Sequence, residues 1–168
     1  KGLKQIRDEF TRVGDENHLR LHLDHVPVID EDNKEVDYLA IVCEAVDLGY
    51  QSVMVDGSRL SLEENIKATG AVAEVAHNAG IPCEAELGGG RGHEAGPLPP
   101  YEEIFASGKG FTRVEDAVKF VKESECDWLS VAIGNIHGAV SAAARDKKQI
   151  SARLNIDHLE ALHQATRI

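Results

Sequence analysis

Basic residues are scarce in this sequence. Eighteen lysines and arginines stand against 29 aspartates and glutamates, a formal net charge of −11. With no basic excess to neutralise phosphates, the balance argues against general affinity for nucleic acid or an anionic membrane. Small phosphorylated molecules stay within reach, because local backbone amides and a bound cation override the global sign. Cysteine is also sparse: Cys43, Cys83 and Cys126 form no CxxC pair. That argues against a disulfide framework or a cysteine zinc site and for free thiols in a reduced, cytoplasmic protein. No apolar run reaches the about 18 residues that a membrane span needs, and no signal peptide stands at the N-terminus. Low-complexity tracts, internal repeats and a linker dividing two domains are missing as well. The 168 residues therefore read as a single domain. They are short for a closed eight-unit α/β barrel, which typically needs about 250 residues. A start at Lys1 rather than at methionine leads to the expectation of further residues upstream.

What is present is a βα alternation. Spacing predicts a helix over 3–13, with Leu3, Ile6, Phe10 and Val13 on one side and Gly14 to stop it. Strand signals recur over 19–24, 52–56, 82–87 and 128–134, each rich in Val, Ile or Leu. Helical patterns over 38–48, 61–78, 113–124 and 158–165 separate and follow them, which predicts a parallel sheet. The stretch 88–110, rich in glycine and proline, is expected to be a loop without regular structure, and a loop that long in a compact α/β unit is usually functional.

Strand faces choose between two α/β architectures. Alternation places Leu19, Leu21, Leu23, Val53, Val55, Cys83, Ala85, Leu87, Leu129, Val131 and Ile133 on one face. It places His22, Asp24, Ser52, Met54, Asp56, Glu84, Glu86, Ser130, Ala132 and Gly134 on the other. An open doubly wound sheet covers both faces with helices and has near-continuous apolar strands. One apolar and one polar or small face instead fits a (β/α)8 TIM barrel, whose inner face turns polar near the active-site mouth. Asp24, Asp56, Glu86 and the segment 134–138 then converge on the C-terminal rim.

Carboxylates crowded at one rim repel each other unless a cation sits among them. Nearby histidines point to a transition metal: His25 follows the first strand, and His137 lies in "AIGNIHG" just past the last. Imidazole favours zinc, and a catalytic zinc keeps three protein ligands and an open position. Two histidines are in view, so a third ligand comes from elsewhere or from an acid. Each piece has an ordinary alternative. A histidine at a strand end is commonly a hydrogen-bonded structural residue, Asp56 serves equally as a helix cap or turn residue before Gly57, and Glu94 is a solvated loop charge. Glu86 has the poorer alternative, since an inward glutamate at a barrel mouth needs a partner. "GGGRG" lacks the lysine of a phosphate-binding P-loop, and Pro97 excludes an HExxH helix at His93–Glu94. His77, His158 and His163 fall on predicted helices as surface residues, and His22, one step deeper than Asp24, supports the site rather than binding metal.

Read together, "HLDH", "YQSVMVDGSRLSLEENI", "EAELGGGRGHEAG" and "DWLSVAIGNIHG" resemble the zinc-dependent class II ketose-bisphosphate aldolases, from about Leu19 to Ile168. The resemblance implies a TIM barrel of which this chain covers roughly the central half, as a single partial domain over 1–168. It implies Zn2+, with a second divalent or monovalent cation as an option. By the same carry-over His25 and His137 are zinc ligands, Asp56 and Glu86 second-metal or alternate-site acids, Asp24 the acid/base, Glu94 the mobile-loop acid and Gly138 a substrate-binding backbone position. The implied reaction is reversible cleavage of a ketose 1,6-bisphosphate, fructose foremost and tagatose the alternative, to dihydroxyacetone phosphate and glyceraldehyde 3-phosphate. A homodimer or larger homo-oligomer is implied too. The family's third zinc histidine, in an "LHGGSG" strand and loop, is expected after Ile168, and its first strands before Lys1. Arg59 stands where many relatives have histidine, and Val26–Pro27 after HLDH is a further departure. A non-catalytic barrel subunit that partners a true aldolase, or a phosphate-binding sensor on the same fold, are the competing readings.

Overall fold

Among the described residues, four short segments with aliphatic residues on one face form parallel strands: β1 (His22–Pro27), β2 (Ser52–Asp56), β3 (Cys83–Leu87) and β4 (Trp128–Val131). Six helices of the described residues accompany them: α1 (Gly2–Val13), α2 (Tyr38–Asp47), α3 (Leu62–Asn78), α4 (Tyr101–Ser107), α5 (Val114–Ser124) and α6 (Ile156–Thr166). This computed structural model describes residues 2–15, 17–88, 101–135 and 153–168, without the side chain of residue 104. The strands stand in sequence order, β1-β2-β3-β4, so each crossover adds its strand on the same side of the last. A doubly wound sheet reverses direction at a switch point. The unbroken progression is that of an arc of a barrel, as the strand faces predict.

Local chemistry sets where the helices begin. Ser61 and Glu64 form a reciprocal capping box at α3, Asp37 accepts from the Ala40 N–H at α2 (3.1 Å), and Asn155 accepts from the His158 N–H at α6 (3.0 Å). The outward strand residues meet these helices in two apolar clusters. Leu21, Leu23, Val26, Val53, Val55 and Cys83 pack with Val42 and Ala45 of α2 and with Val72, Ala73 and Ala76 of α3. Ala85 and Leu87 pack with Ile66, Ala117, Phe120 and Leu162. Burying a side chain such as Phe120, fully out of solvent, contributes about 2 to 3 kcal/mol. Met54 is buried but belongs to neither cluster, as expected for the inner face.

Asp127 joins the N-terminal ends of β3 and β4. Its carboxylate accepts from the Cys83 N–H (2.8 Å) and lies 2.9 Å from His77 Nε2, while its own N–H donates to the Cys83 carbonyl (2.9 Å). Burial pushes the Asp127 carboxyl up, but the Cys83 amide and His77 outweigh it and leave the group below its ordinary value. His77 therefore closes a strand-end contact rather than standing alone on the surface. The thiols divide by the same packing. Burial pushes Cys83 up to about 12, and Cys126 is raised for the same reason, whereas Cys43 is exposed. A thiol exists to react only as its thiolate. Of these three cysteines, Cys43 alone is expected to label promptly with a maleimide in the native protein, with Cys83 and Cys126 following only in denaturant; equal native labelling of all three, read by peptide mass, would contradict this packing.

Four expectations need correction. The stretch 88–110 is not all loop, because α4 occupies Tyr101–Ser107 once the prolines at 97, 99 and 100 are passed. The first strand starts later and runs further than 19–24, reaching Pro27. Proline is tolerated there because β1 pairs only with β2 among the described residues, so its missing N–H removes no ladder bond. The last strand ends at Val131, short of 134. His158 is not a free surface residue either, since its Nε2 lies 2.7 Å from the Thr112 carbonyl oxygen.

Candidate metal and acid/base site at the sheet rim

The site begins with one extra residue in β1. His22 and Leu23 pair with Ser52 and Val53, and Val26 and Pro27 pair with Val55 and Asp56, so three steps along β1 match two along β2. This bulge lifts Asp24 and His25 out of the ladder together, and His25 takes a left-handed backbone (φ 45°). Bulges re-aim side chains in this way beside functional sites. Strict alternation would send the two residues to opposite faces, whereas the bulge brings both to the inner rim. Leu23 and Val26 keep their places in the core on either side.

His25 meets the ends of the next two strands. Its Nδ1 lies 3.4 Å from Asp56 Oδ2 and 3.4 Å from Glu86 Oε2, and donor atoms of the three residues all fall within 4.8 Å of one another. Its Nε2 side faces Asp24, whose Oδ1 is 3.9 Å away. Glu86 is 7% exposed, and a buried carboxylate beside a second one needs a cation or a proton. Burial raises the Asp56 carboxyl, but bonds from Ser58 and from His25 outweigh it and keep the group below its ordinary value. Asp56 is thus held as an anion. Tetrahedral ligands about 2.1 Å from an ion stand about 3.4 Å apart, the separation of His25 Nδ1 from each of the two carboxylate oxygens here, and one imidazole with two carboxylates is a donor set that zinc accepts. The residues present fit a divalent metal.

Neighbouring elements hold these groups in place. Asn65, buried on α3, donates to the Glu86 carbonyl (3.0 Å) and accepts from Thr69 (3.2 Å). Gly57 makes room for it, since a Cβ there would lie 2.1 Å from Asn65 Oδ1. The Thr112 hydroxyl donates to the Leu87 carbonyl (2.6 Å) and accepts from the Ala132 N–H (2.8 Å), joining the C-terminal ends of β3 and β4. Sequence reasoning missed both residues. For Asn65 a signal existed: with Thr69, Val72 and Ala76 it falls on the buried side of α3 at helical spacing. Tyr101 likewise links α4 to the β4 exit, its hydroxyl donating to the Gly134 carbonyl (2.8 Å) and accepting from the Arg153 N–H (2.7 Å).

A family model for Fructose-bisphosphate aldolase class-II matches residues 3–168. The chain belongs to the class II fructose-bisphosphate aldolase family. Curated relatives named fructose-bisphosphate aldolase include one from Helicobacter pylori, 35% identical over 150 residues (88% of this chain, 41% of that protein). Another, from Giardia intestinalis, is 36% identical over 148 residues (88% of this chain, 39% of that protein). The chain thus spans about two fifths of the length of these relatives. Among solved structures, the YdjI aldolase from Escherichia coli K12 superposes with a TM-score of 0.68 at 24% identity, covering all of this chain and 50% of that one. The fructose-bisphosphate aldolase from Campylobacter jejuni gives 0.66 at 19% identity, covering 99% and 46%. These similarities identify the sheet and its helices as about half of the TIM barrel of class II aldolases.

Of the aldolase site residues expected from sequence, the structure gathers His25, Asp56 and Glu86 into one donor group with Asp24 beside it. Glu94, His137 and Gly138 lie outside the described residues. Arg59 donates to the Asp30 carbonyl (2.8 Å) and so ties the β2 exit to the turn that follows β1.

Proposed function

We propose that the intact protein cleaves a ketose 1,6-bisphosphate reversibly to dihydroxyacetone phosphate and glyceraldehyde 3-phosphate, with fructose 1,6-bisphosphate as the main substrate and zinc as cofactor. The observation that carries this reading is the His25–Asp56–Glu86 donor group with the Asp24 carboxylate at its edge. His25 would hold the ion with His137, and Asp56 and Glu86 would offer further or alternate positions. When bound, zinc supplies Lewis-acid polarisation of the substrate ketone and charge stabilisation as the carbon–carbon bond opens.

The chain's own residues supply the proton chemistry. Asp24 is well exposed at the rim, its side chain 67% accessible, and a substrate hydroxyl can reach it. In cleavage it takes the proton of the C4 hydroxyl; in condensation it returns that proton to the aldehyde oxygen. Glu94 is assigned the proton at C3 of dihydroxyacetone phosphate. Asn65 and Thr112 keep the ends of β3 and β4 fixed, which holds Glu86 still while Asp24 works.

The test is metal analysis of the purified intact protein together with a coupled aldolase assay on fructose and tagatose 1,6-bisphosphates. Bound zinc and cleavage lost on chelation and restored by zinc are the expected results. A zinc-loaded, folded protein that cleaves neither sugar would overturn the assignment and favour the non-catalytic subunit.

A further inference from the structure

We infer that His22 is a positioning residue for Asp24, presenting a fixed Nε2–H at the flank of that carboxylate. The inference rests on the acid/base role given to Asp24 above and deepens it.

His22 Nδ1 lies 2.8 Å from the hydroxyl of the buried Ser52, the residue it pairs with across β1 and β2. Its other nitrogen, Nε2, is shielded from solvent and has no hydrogen-bond partner among the described residues. What Nε2 faces decides its chemistry. Glu84 Oε2 is 3.4 Å away and Asp24 Oδ1 is 3.8 Å away, one carboxylate on each of two strands. A bare lone pair at Nε2, itself shielded from solvent, would face two carboxylates. A proton there turns repulsion into attraction. The neutral ring with its proton on Nε2 accepts the Ser52 hydroxyl at Nδ1, and the imidazolium donates to it. Both forms place a proton on Nε2, so the assignment stands without reference to the charge of the ring. The Trp128 ring, with its centroid 6.4 Å from that of His22, flanks the other side.

The donor therefore waits between two acceptors, at distances longer than a formed hydrogen bond. Asp24 has an exposed side chain with many open rotamers, and Glu84 is the more enclosed of the two. A small turn of Asp24 toward Nε2 forms the bond and restricts its carboxylate to the side of the rim where His25 stands. His22 thus narrows the conformations of the proton carrier without touching substrate. This accounts for the first histidine of HLDH, which stays outside the metal-ligand group.

The nitrogen matters, which makes the inference testable by amide replacements. Glutamine places its NH2 near the position of Nε2; asparagine places it near Nδ1. In the intact, zinc-loaded protein His22→Asn should lower kcat by about tenfold, the equivalent of one charge-assisted hydrogen bond, with KM and zinc content unchanged. His22→Gln should recover to within about threefold of the unmodified protein, a residue of less than 1 kcal/mol. The loss from His22→Asn should vanish in an Asp24→Asn background, since two residues acting as a unit are not additive. Nitrogen-15 NMR of the histidine side chains gives an arm independent of activity, in which Nε2 of His22 must appear protonated. A bare Nε2, equal losses in the Gln and Asn variants, or full activity in His22→Asn would each overturn the inference. If His22→Asn does not fold, His22→Gln carries the test with the NMR arm: kcat within about threefold of the unmodified protein supports the inference, and a loss of about tenfold or more overturns it. Absence of cleavage in the unmodified protein would instead remove the proposed function, while the NMR arm still decides the orientation of the donor.

Discussion

Asp24→Ala is expected to lower turnover in the intact protein by about a hundred- to ten-thousandfold, the range that a general acid/base contributes. Fold and metal should survive the change. The bulge takes Asp24 out of the β1–β2 ladder, its side chain is largely in solvent, and its contacts with His22 and His25 are longer than hydrogen bonds. Surface substitutions of that kind shift stability by about 0.5 kcal/mol or less. A large fall in kcat with an unchanged melting curve and unchanged zinc content therefore reports on chemistry alone. A variant that turns over at the unmodified rate would end the role given to Asp24.

The second large effect falls on the metal. Removing the His25 imidazole leaves Asp56 and Glu86 facing each other at the rim, with Glu86 buried. Zinc affinity should fall by more than about a hundredfold, beyond what loss of a merely supporting residue costs. Alanine is a poor probe, because residue 25 has positive φ and a Cβ-bearing residue there is strained. Asparagine tolerates that backbone and lacks the imidazole, so His25→Asn separates the metal effect from the backbone effect. Without His25 the Asp56 carboxyl also loses one of the interactions that hold it below its ordinary value, so its pKa should rise. Equilibrium dialysis against zinc is the measurement, and unchanged affinity in His25→Asn would remove it from the ligand set.

Much of the architecture could be read from the order of residues. The one-sided strands named the barrel because hydrophobic alternation reports burial directly, and Leu21, Leu23, Val53, Val55, Cys83, Ala85 and Leu87 are all in the core. Asp56 and Glu86 were legible as residues of the inner face by the same alternation, which sets them opposite the core residues Val55, Ala85 and Leu87. The bulge was hidden. A left-handed histidine has no compositional mark such as glycine would leave, so "HLDH" looked like a strand ending in polar residues. α4 was masked by the glycines and prolines around it, although "YEEIFAS" itself favours a helix. Asn65 and Thr112 escaped because short polar residues suit solvent, caps and turns equally well, and only tertiary packing turns them into brackets for β3 and β4.

The extra residue of β1 has a bearing on how such a site is inherited and altered. Folding information in that strand resides in Leu23 and Val26, and the two residues between them carry none of the core. Codon 24 can thus be randomised with little penalty to expression, whereas at codon 25 the left-handed backbone favours glycine, asparagine, aspartate or histidine, and a library within those limits would sample reactivity almost separately from foldability. Deleting either codon would have the opposite effect. It would let the ladder close regularly, keep a folded strand, and leave a barrel mouth with one reactive group in place of two.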